Sequence, residues 1–222
     1  MKTTTVTPNL IQLTRLGFVN AFLVREDDGF TLVDTTTGGA ADALIEAAKT
    51  AGGAIRRIAL THGHGDHVGS LDALAGKLGV EVLMPELDAR IHAGEKVVDR
   101  KLTGSWPKLE TVPGVRLNAG DRVGSLEVVA APGHTPGHVA FLDPRDRTLI
   151  AGDTYTTFGS TQVSNHFYWR FPLAAMATAD KAQDLESARA LRALDPALLV
   201  VGHGPAVRDP GAAMDRAIAK AR

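Results

Sequence analysis

The chain has 222 residues, 44% of them hydrophobic and 22% charged, enough apolar material to bury a core as one domain over residues 1–222. Twenty-four Lys and Arg against 25 Asp and Glu leave a net charge of −1, which argues against a nucleic-acid partner or an anionic membrane held by bulk charge. There is no cysteine, so disulfides, thiolate metal ligands and a cysteine nucleophile are excluded.

The first eight residues hold no apolar core of the signal-peptide kind, and no run approaches the roughly 18 apolar residues of a membrane helix. The expectation is a cytoplasmic protein with no membrane partner. Short apolar or alternating runs at 10–13, 19–24 and 30–34 predict antiparallel strands around the turn Glu26-Asp27-Asp28-Gly29. An alanine-rich helix over 40–50 stops at Gly52-Gly53. A strand over 55–60, a helix over 68–78, a strand over 80–84 and a short helix over 86–92 follow. Residues 93–114, punctuated by Gly94, Gly104, Pro107, Pro113 and Gly114, read as irregular. Strands return at 116–117, 126–130, 139–142 and 148–151. A long helix over 173–194, a buried strand over 198–201 and a last helix near 211–221 complete the chain. Two similar αβ halves packing sheet on sheet, helices outside, fit this order.

Four donor side chains fall within six residues just after the strand over 55–60: His62, His64, Asp66 and His67, spaced by two glycines. Imidazole and carboxylate are the usual side-chain ligands of zinc and related divalent metals, and glycine lets the backbone take a tight path. His134, Asp153 and His203 stand where later strands end, each with a glycine beside it. A strand-end loop bearing several donors can deliver them to one centre.

The series from Thr61 to His67, then His134, Asp153 and His203, resembles the ligand set of the metallo-β-lactamase superfamily, over nearly the whole chain. The resemblance implies an α+β fold, a four-layer αββα sandwich of two mixed sheets with helices outside. It implies two divalent ions: His62, His64 and His134 on one, Asp66, His67 and His203 on the other, Asp153 between them. Zinc is the default, and iron or manganese would accept the same donors. Hydrolysis by a metal-bridging hydroxide is the implied chemistry, with Asp66 as a catalytic residue that orients the hydroxide or relays a proton. Asp34 matches the family's early strand-end aspartate and is read as fixing the loop or a ligand histidine. His138 is read as a structural hydrogen-bonder, and His92 as a surface residue.

Tyr155 to Phe171 holds six aromatic residues just after Asp153. Tyr155, Phe158, His166, Tyr168 and Trp169 are therefore candidates for a substrate pocket, ordinary core packing or a homodimer contact being the competing reading. The 93–114 stretch with Trp106 is a second candidate lid. The expected partner is a small-molecule substrate. By resemblance to glyoxalase II-like thioesterases and to lactonases, the function is hydrolysis of an ester, thioester or lactone. β-Lactamase activity is a minor alternative. A different class, a single-iron persulfide dioxygenase, would use His62, His134 and Asp153.

Overall fold

Residues 1–99 and 101–221 are described by the structure, a computed structural model; residue 100, in the irregular 93–114 stretch, and residue 222 lie outside them. Strands β1 (Lys2–Thr5), β2 (Leu10–Arg15), β3 (Val19–Glu26) and β4 (Gly29–Val33) form an antiparallel meander. Helix α1 (Ala41–Thr50) leads to β5 (Ile55–Ala59), parallel to β4. The short α2 (Gly65–Val68) and α3 (Leu71–Leu78) lead to β6 (Glu81–Pro85), and α4 (Glu86–His92) precedes β7 (Val115–Leu117). These seven strands lie side by side in chain order.

A second sheet begins with β8 (Arg122–Val123), β9 (Leu126–Ala130), β10 (Val139–Asp143) and β11 (Thr148–Ile150), all antiparallel. The chain then leaves it through a two-stranded piece, β12 (Tyr155–Thr156) with β13 (Gln162–Val163), and the helices α5 (Pro172–Ala177) and α6 (Lys181–Ala193). It returns as β14 (Leu198–Val200), parallel to β11, then β15 (Val207–Arg208), and closes with α7 (Gly211–Lys220).

Period-two alternation along the strands creates three buried layers. Leu23, Leu32 and Ile58 meet Leu44 of α1 and Leu71 and Leu74 of α3. Their strand neighbours Phe22, Val33 and Ala59 face Val128, Phe141, Ile150 and Val200 across the gap between the sheets. Ala140, Leu149 and Leu199 lie on the far face under Ala188 and Leu191 of α6 and Met214 and Ala217 of α7. Each fully buried Leu, Ile or Phe contributes about 1.5–3 kcal/mol through removal from water. The layering is the αββα sandwich of the expected fold. Among the described residues no helix is long and apolar enough to cross a membrane.

Two expected helices are broken. The 68–78 helix is interrupted at Gly69-Ser70, where the 36–39 loop passes so closely that a Cβ on Gly69 would lie 2.6 Å from Gly38 N. The 173–194 helix stops after Ala177 and restarts at Lys181. Thr178 turns its backbone to an extended ψ of 118°, and the Asp180 side chain caps the new helix by accepting from Gln183 N at 3.0 Å. The interruption frees two backbone donors, Ala179 N and Asp180 N, which bond the carbonyls of His134 and Gly133 at 3.1 and 2.8 Å.

Candidate metal centre

β4 and β5 run parallel in one sheet, and β11 and β14 in the other, so their carboxyl ends deliver the polar residues. Asp34 follows β4, the Thr61–His67 loop follows β5, His134 follows β9, Asp153 follows β11 and His203 follows β14. The structure brings all seven predicted donors together. His62, His64 and His134 form one group able to hold a cation; Asp66, His67 and His203 form another; Asp153 joins His62 and His67 in a third. Within each, one donor atom per residue lies within 4.8 Å of the others. Asp153 stands between the groups: Oδ2 is 3.0 Å from His203 Nε2 and 3.5 Å from His134 Nε2, and Oδ1 is 3.4 Å from His67 Nε2.

The hydrogen bonds behind the rings decide which nitrogen faces the centre. Thr61 Oγ1 donates to Asp34 Oδ2 at 2.9 Å and so accepts from His62 Nδ1 at 3.0 Å. Thr178 Oγ1, committed as a donor to Ser164 O or Ala174 O, accepts from His134 Nδ1 at 3.0 Å. His67 Nδ1 donates to Asp34 Oδ2 at 2.8 Å. Each of these leaves Nε2 as the inward atom. His64 is turned the other way: its Nε2 donates to Thr103 O at 3.1 Å, leaving Nδ1 inward, 3.1 Å from His134 Nε2.

Three inward atoms, His62 Nε2, His67 Nε2 and Asp153 Oδ1, are buried without a hydrogen-bond partner in the protein. Buried polar atoms are rarely left so. Divalent cations fit these residues, whose nitrogen and oxygen donors converge with lone pairs aimed at common points.

The electrostatics divide the site. Burial keeps His62 and His134 neutral well below the ordinary histidine range, and takes His64 down to about 4. Burial alone would also lower His67 and His203, but carboxylates reverse it. Asp153, Asp34 and Asp66 hold His67 well above its usual value, and Asp153 and Asp66 raise His203 to about 9. Burial acts to raise Asp66, yet His67 and His203 pull it below the ordinary carboxylate range. Asp66, its side chain 37% exposed and 3.2 Å from His203 Nε2, is the one carboxylate of the group open to solvent.

Asp34 adopts φ +62°, a left-handed conformation that costs a non-glycine residue energy. That turn aims both carboxylate oxygens at Thr61 and one of them at His67. Gly202 is required by close approach: a Cβ there would lie 2.1 Å from Asp153 Oδ1 and 2.6 Å from His67 Cε1. His138 Nε2 accepts from Asp153 N at 2.9 Å, and burial holds that imidazole down at about 3, hence neutral.

Several participants escaped the sequence reading. Asp88, fully buried in α4, accepts from Gly63 N at 2.8 Å, Thr135 Oγ1 at 2.7 Å and Gly137 N at 2.8 Å, tying the two histidine loops together. Burial pushes its carboxyl up to about 6 despite the three donors. A lone aspartate in a short helix carries no signal of that role. Phe18, in the β2–β3 turn, packs against Phe158, Phe171 and His203 with centroids 5.9–6.1 Å away. The break before Lys181 was foreshadowed by Asp180 three residues ahead of Gln183, a capping pattern.

Other expectations need correction. Tyr155 does not line the site: it is fully buried in the layer under α6, and its hydroxyl donates to Ala188 O at 2.7 Å. His92 is partly buried rather than a free surface residue: its Nε2 donates to Gly63 O at 2.9 Å and its ring meets Trp106. The Thr103–Trp106 stretch packs on the first histidine loop, with Ser105 O accepting from Gly65 N at 2.9 Å and Trp106 edge-on to His64. Phe158, by contrast, sits 5.6 Å from Phe171, whose ring lies 4.8 Å from His203. Tyr168 is bonded to Ser160, Trp169 is stacked with Arg170, and His166 is 3.2 Å from Asn165 Oδ1; none of these contacts reaches the ligand histidines.

A four-layer αββα sandwich that collects histidines and aspartates at the carboxyl ends of its strands defines a class of metal-binding protein. The sequence profile of the Metallo-beta-lactamase superfamily matches residues 14–203, and the chain belongs to that superfamily. It is 39% identical over 211 residues to the protein YobT of Bacillus subtilis (strain 168), covering 92% of this chain and 91% of that one. It is 30% identical over 186 residues to a hydroxyacylglutathione hydrolase of Acidiphilium cryptum (strain JF-5), covering 82% of this chain but 63% of that protein. A solved structure, TTHA1623 in a di-iron-bound form, superposes with a TM-score of 0.66 at 29% identity, over 95% of this chain and 96% of that one.

Proposed function

We propose that the protein is a metal-dependent hydrolase that binds two divalent cations and cleaves an ester, thioester or lactone bond of a small molecule. The observation that carries this reading is the convergence of His62 Nε2, His67 Nε2 and Asp153 Oδ1, buried and without hydrogen-bond partners in the protein, between two further groups of donors. Bound divalent cations would supply a water ionised near neutral pH and a Lewis acid for the substrate oxygen. Superfamily membership and a hydrolase relative support hydrolysis in general. A di-iron relative supports iron beside zinc as the resident metal.

The chain's own residues divide the work. His62, His64 and His134 would hold one cation, Asp66, His67 and His203 the other, and Asp153 both. Asp66, ionised and open to solvent, is placed to accept a proton from an attacking water or to orient it. The Phe18–Phe158–Phe171 cluster beside His203 offers an apolar wall, and Leu173 and Met176 expose a second apolar strip one helical turn apart on α5. α5 is flanked by Phe171, against His203, and by Thr178, bonded to His134, so the helix bridges the two halves of the centre. An acyl group would find its apolar contacts there.

The test is to load the purified protein with zinc or iron and assay thioester, lactone, ester and β-lactam substrates in parallel. Turnover of a thioester, ester or lactone supports the proposal. Metal-loaded protein inert on every one of them overturns it. Oxygen consumption with a persulfide, together with a single bound iron, would favour the dioxygenase reading instead.

A further inference from the structure

A groove of about 880 Å³ opens beside His203, between the β1–β2 edge of the first sheet and β15 of the second. Its wall is continuous with the candidate centre, because Gly204 and Pro205 line it directly after His203 and Phe158 lines it from the aromatic cluster. Hydrogen bonds hold the junction together. Gln12, also in the groove, donates to Gly204 O at 3.2 Å, and Asn20 donates to Val201 O and Gly204 O at 2.9 and 2.7 Å. The volume falls within the usual range for small-molecule sites, roughly 300–1,000 Å³.

Its charge is one-sided. Lys2, Arg15 and Arg208 line it and no aspartate or glutamate does, although the whole chain carries a net −1; the Arg15 guanidinium itself turns toward Gly39, its Nη2 3.5 Å from where a Cβ there would sit. Among the described residues none of the three cations has an ion-pair partner; Arg208 only donates to Val6 O at 2.6 Å. Arg170 lies at the near end, its Cδ 2.9 Å from where a Cβ on Gly159 would sit. Unpaired cations around a concave surface raise the local concentration of anions, and guanidinium groups bind phosphate or carboxylate in fork geometry.

We propose that this groove is the subsite for an anionic tail of the substrate: the thiol or alcohol half, carrying several phosphate or carboxylate groups, lies along Arg208 and Lys2 while its acyl bond reaches the histidines. The assignment deepens the hydrolase reading and rests on it for the acyl bond. Binding in the groove can be read without turnover, so the two stand or fall separately.

The experiment is calorimetric titration of the metal-loaded full chain with three S-methylated probes, whose sulfur cannot form a metal-binding thiolate. S-methyl-coenzyme A carries phosphates, S-methylglutathione carries carboxylates, and S-methylpantetheine is the neutral control. At least one anionic probe should bind tenfold or more tighter than the neutral one. That binding should weaken roughly tenfold in Arg208→Gln and again in Lys2→Gln, and should weaken with added salt. Which probe binds distinguishes phosphate from carboxylate recognition. Equal affinity for charged and neutral probes, or unchanged binding in both variants, overturns the proposal; Arg208→Lys, restoring charge, should recover part of the affinity if the loss is electrostatic. Hydrolysis of a neutral ester without anionic-probe binding would remove the groove and leave the hydrolase, and tight binding without hydrolysis would do the reverse.

Discussion

Asp34 Oδ2 lies 2.8 Å from Nδ1 of His67, with both side chains fully buried. The same carboxylate takes the backbone N–H and hydroxyl of Thr61, and through Thr61 Oγ1 it orients His62. One residue therefore sets the ring orientation of a histidine in each half of the centre. Asp34→Ala should lower metal affinity by about 10–100-fold, the usual range for losing a partner behind a ligand. Competition with a chromophoric chelator measures it, and wild-type affinity in the variant would remove this role.

Gly202→Ala puts a methyl group against Asp153 Oδ1 and the His67 ring. The expected outcome is metal affinity reduced about 10–100-fold in a protein that keeps its circular-dichroism spectrum, because β14 and its packing are unaffected. Full metal loading would show that the two side chains yield more readily than this packing implies.

Much of this was legible in the sequence, for a physical reason. Donor residues near glycines at strand ends form short local patterns, which made the seven candidate ligands conspicuous; their grouping, and the role of Asp34, which has no glycine beside it, came only from resemblance to the superfamily. The strands followed from alternation, since Phe22 and Leu23 face opposite layers. What could not be read depended on contacts distant in the chain. Asp88 matters only because Gly63 and Gly137 come to it from two other loops. Tyr155 was drawn toward the site by its place after Asp153, but strand β12 turns it under α6. The break at Thr178 has no proline or glycine and only the Asp180 cap as a local signal; it is stabilised by His134 and Gly133, residues more than forty positions earlier.

Removing Asp88 would leave Gly63 N, Thr135 Oγ1 and Gly137 N without their acceptor in a buried place. Asp88→Ala should destabilise the fold by about 3 kcal/mol or more, at roughly 1–3 kcal/mol per orphaned group, while Asp88→Asn, which keeps acceptor oxygen, should cost less. Chemical denaturation compares them. Equal stability of wild type and Asp88→Ala would contradict the bridging role.

Proton competition sets a pH dependence. Asp153 and Asp66 raise His203 to about 9, above its unfolded value near 6.5, against the effect of burial. In metal-free protein the stability from this charged pairing is therefore complete below about pH 6.5 and lost as pH rises through about 9. Metal binding runs the opposite way, because a cation must displace that proton, so affinity should climb from pH 6 to 9. His203→Gln should flatten both trends, as thermal unfolding and chelator competition across that range would reveal; unchanged slopes would assign them to other groups.

Asp66→Ala should abolish turnover of whichever acyl substrate the wild type cleaves, even at metal concentrations that restore occupancy. Retained turnover at full occupancy would reduce Asp66 to a dispensable ligand.

The central claim is that the seven donors hold two divalent ions around Asp153. Elemental analysis of the metal-loaded chain and its His203→Ala variant tests it most directly. The account predicts about two ions per wild-type chain and about one in the variant. One ion per wild-type chain, unchanged in the variant, would contradict it.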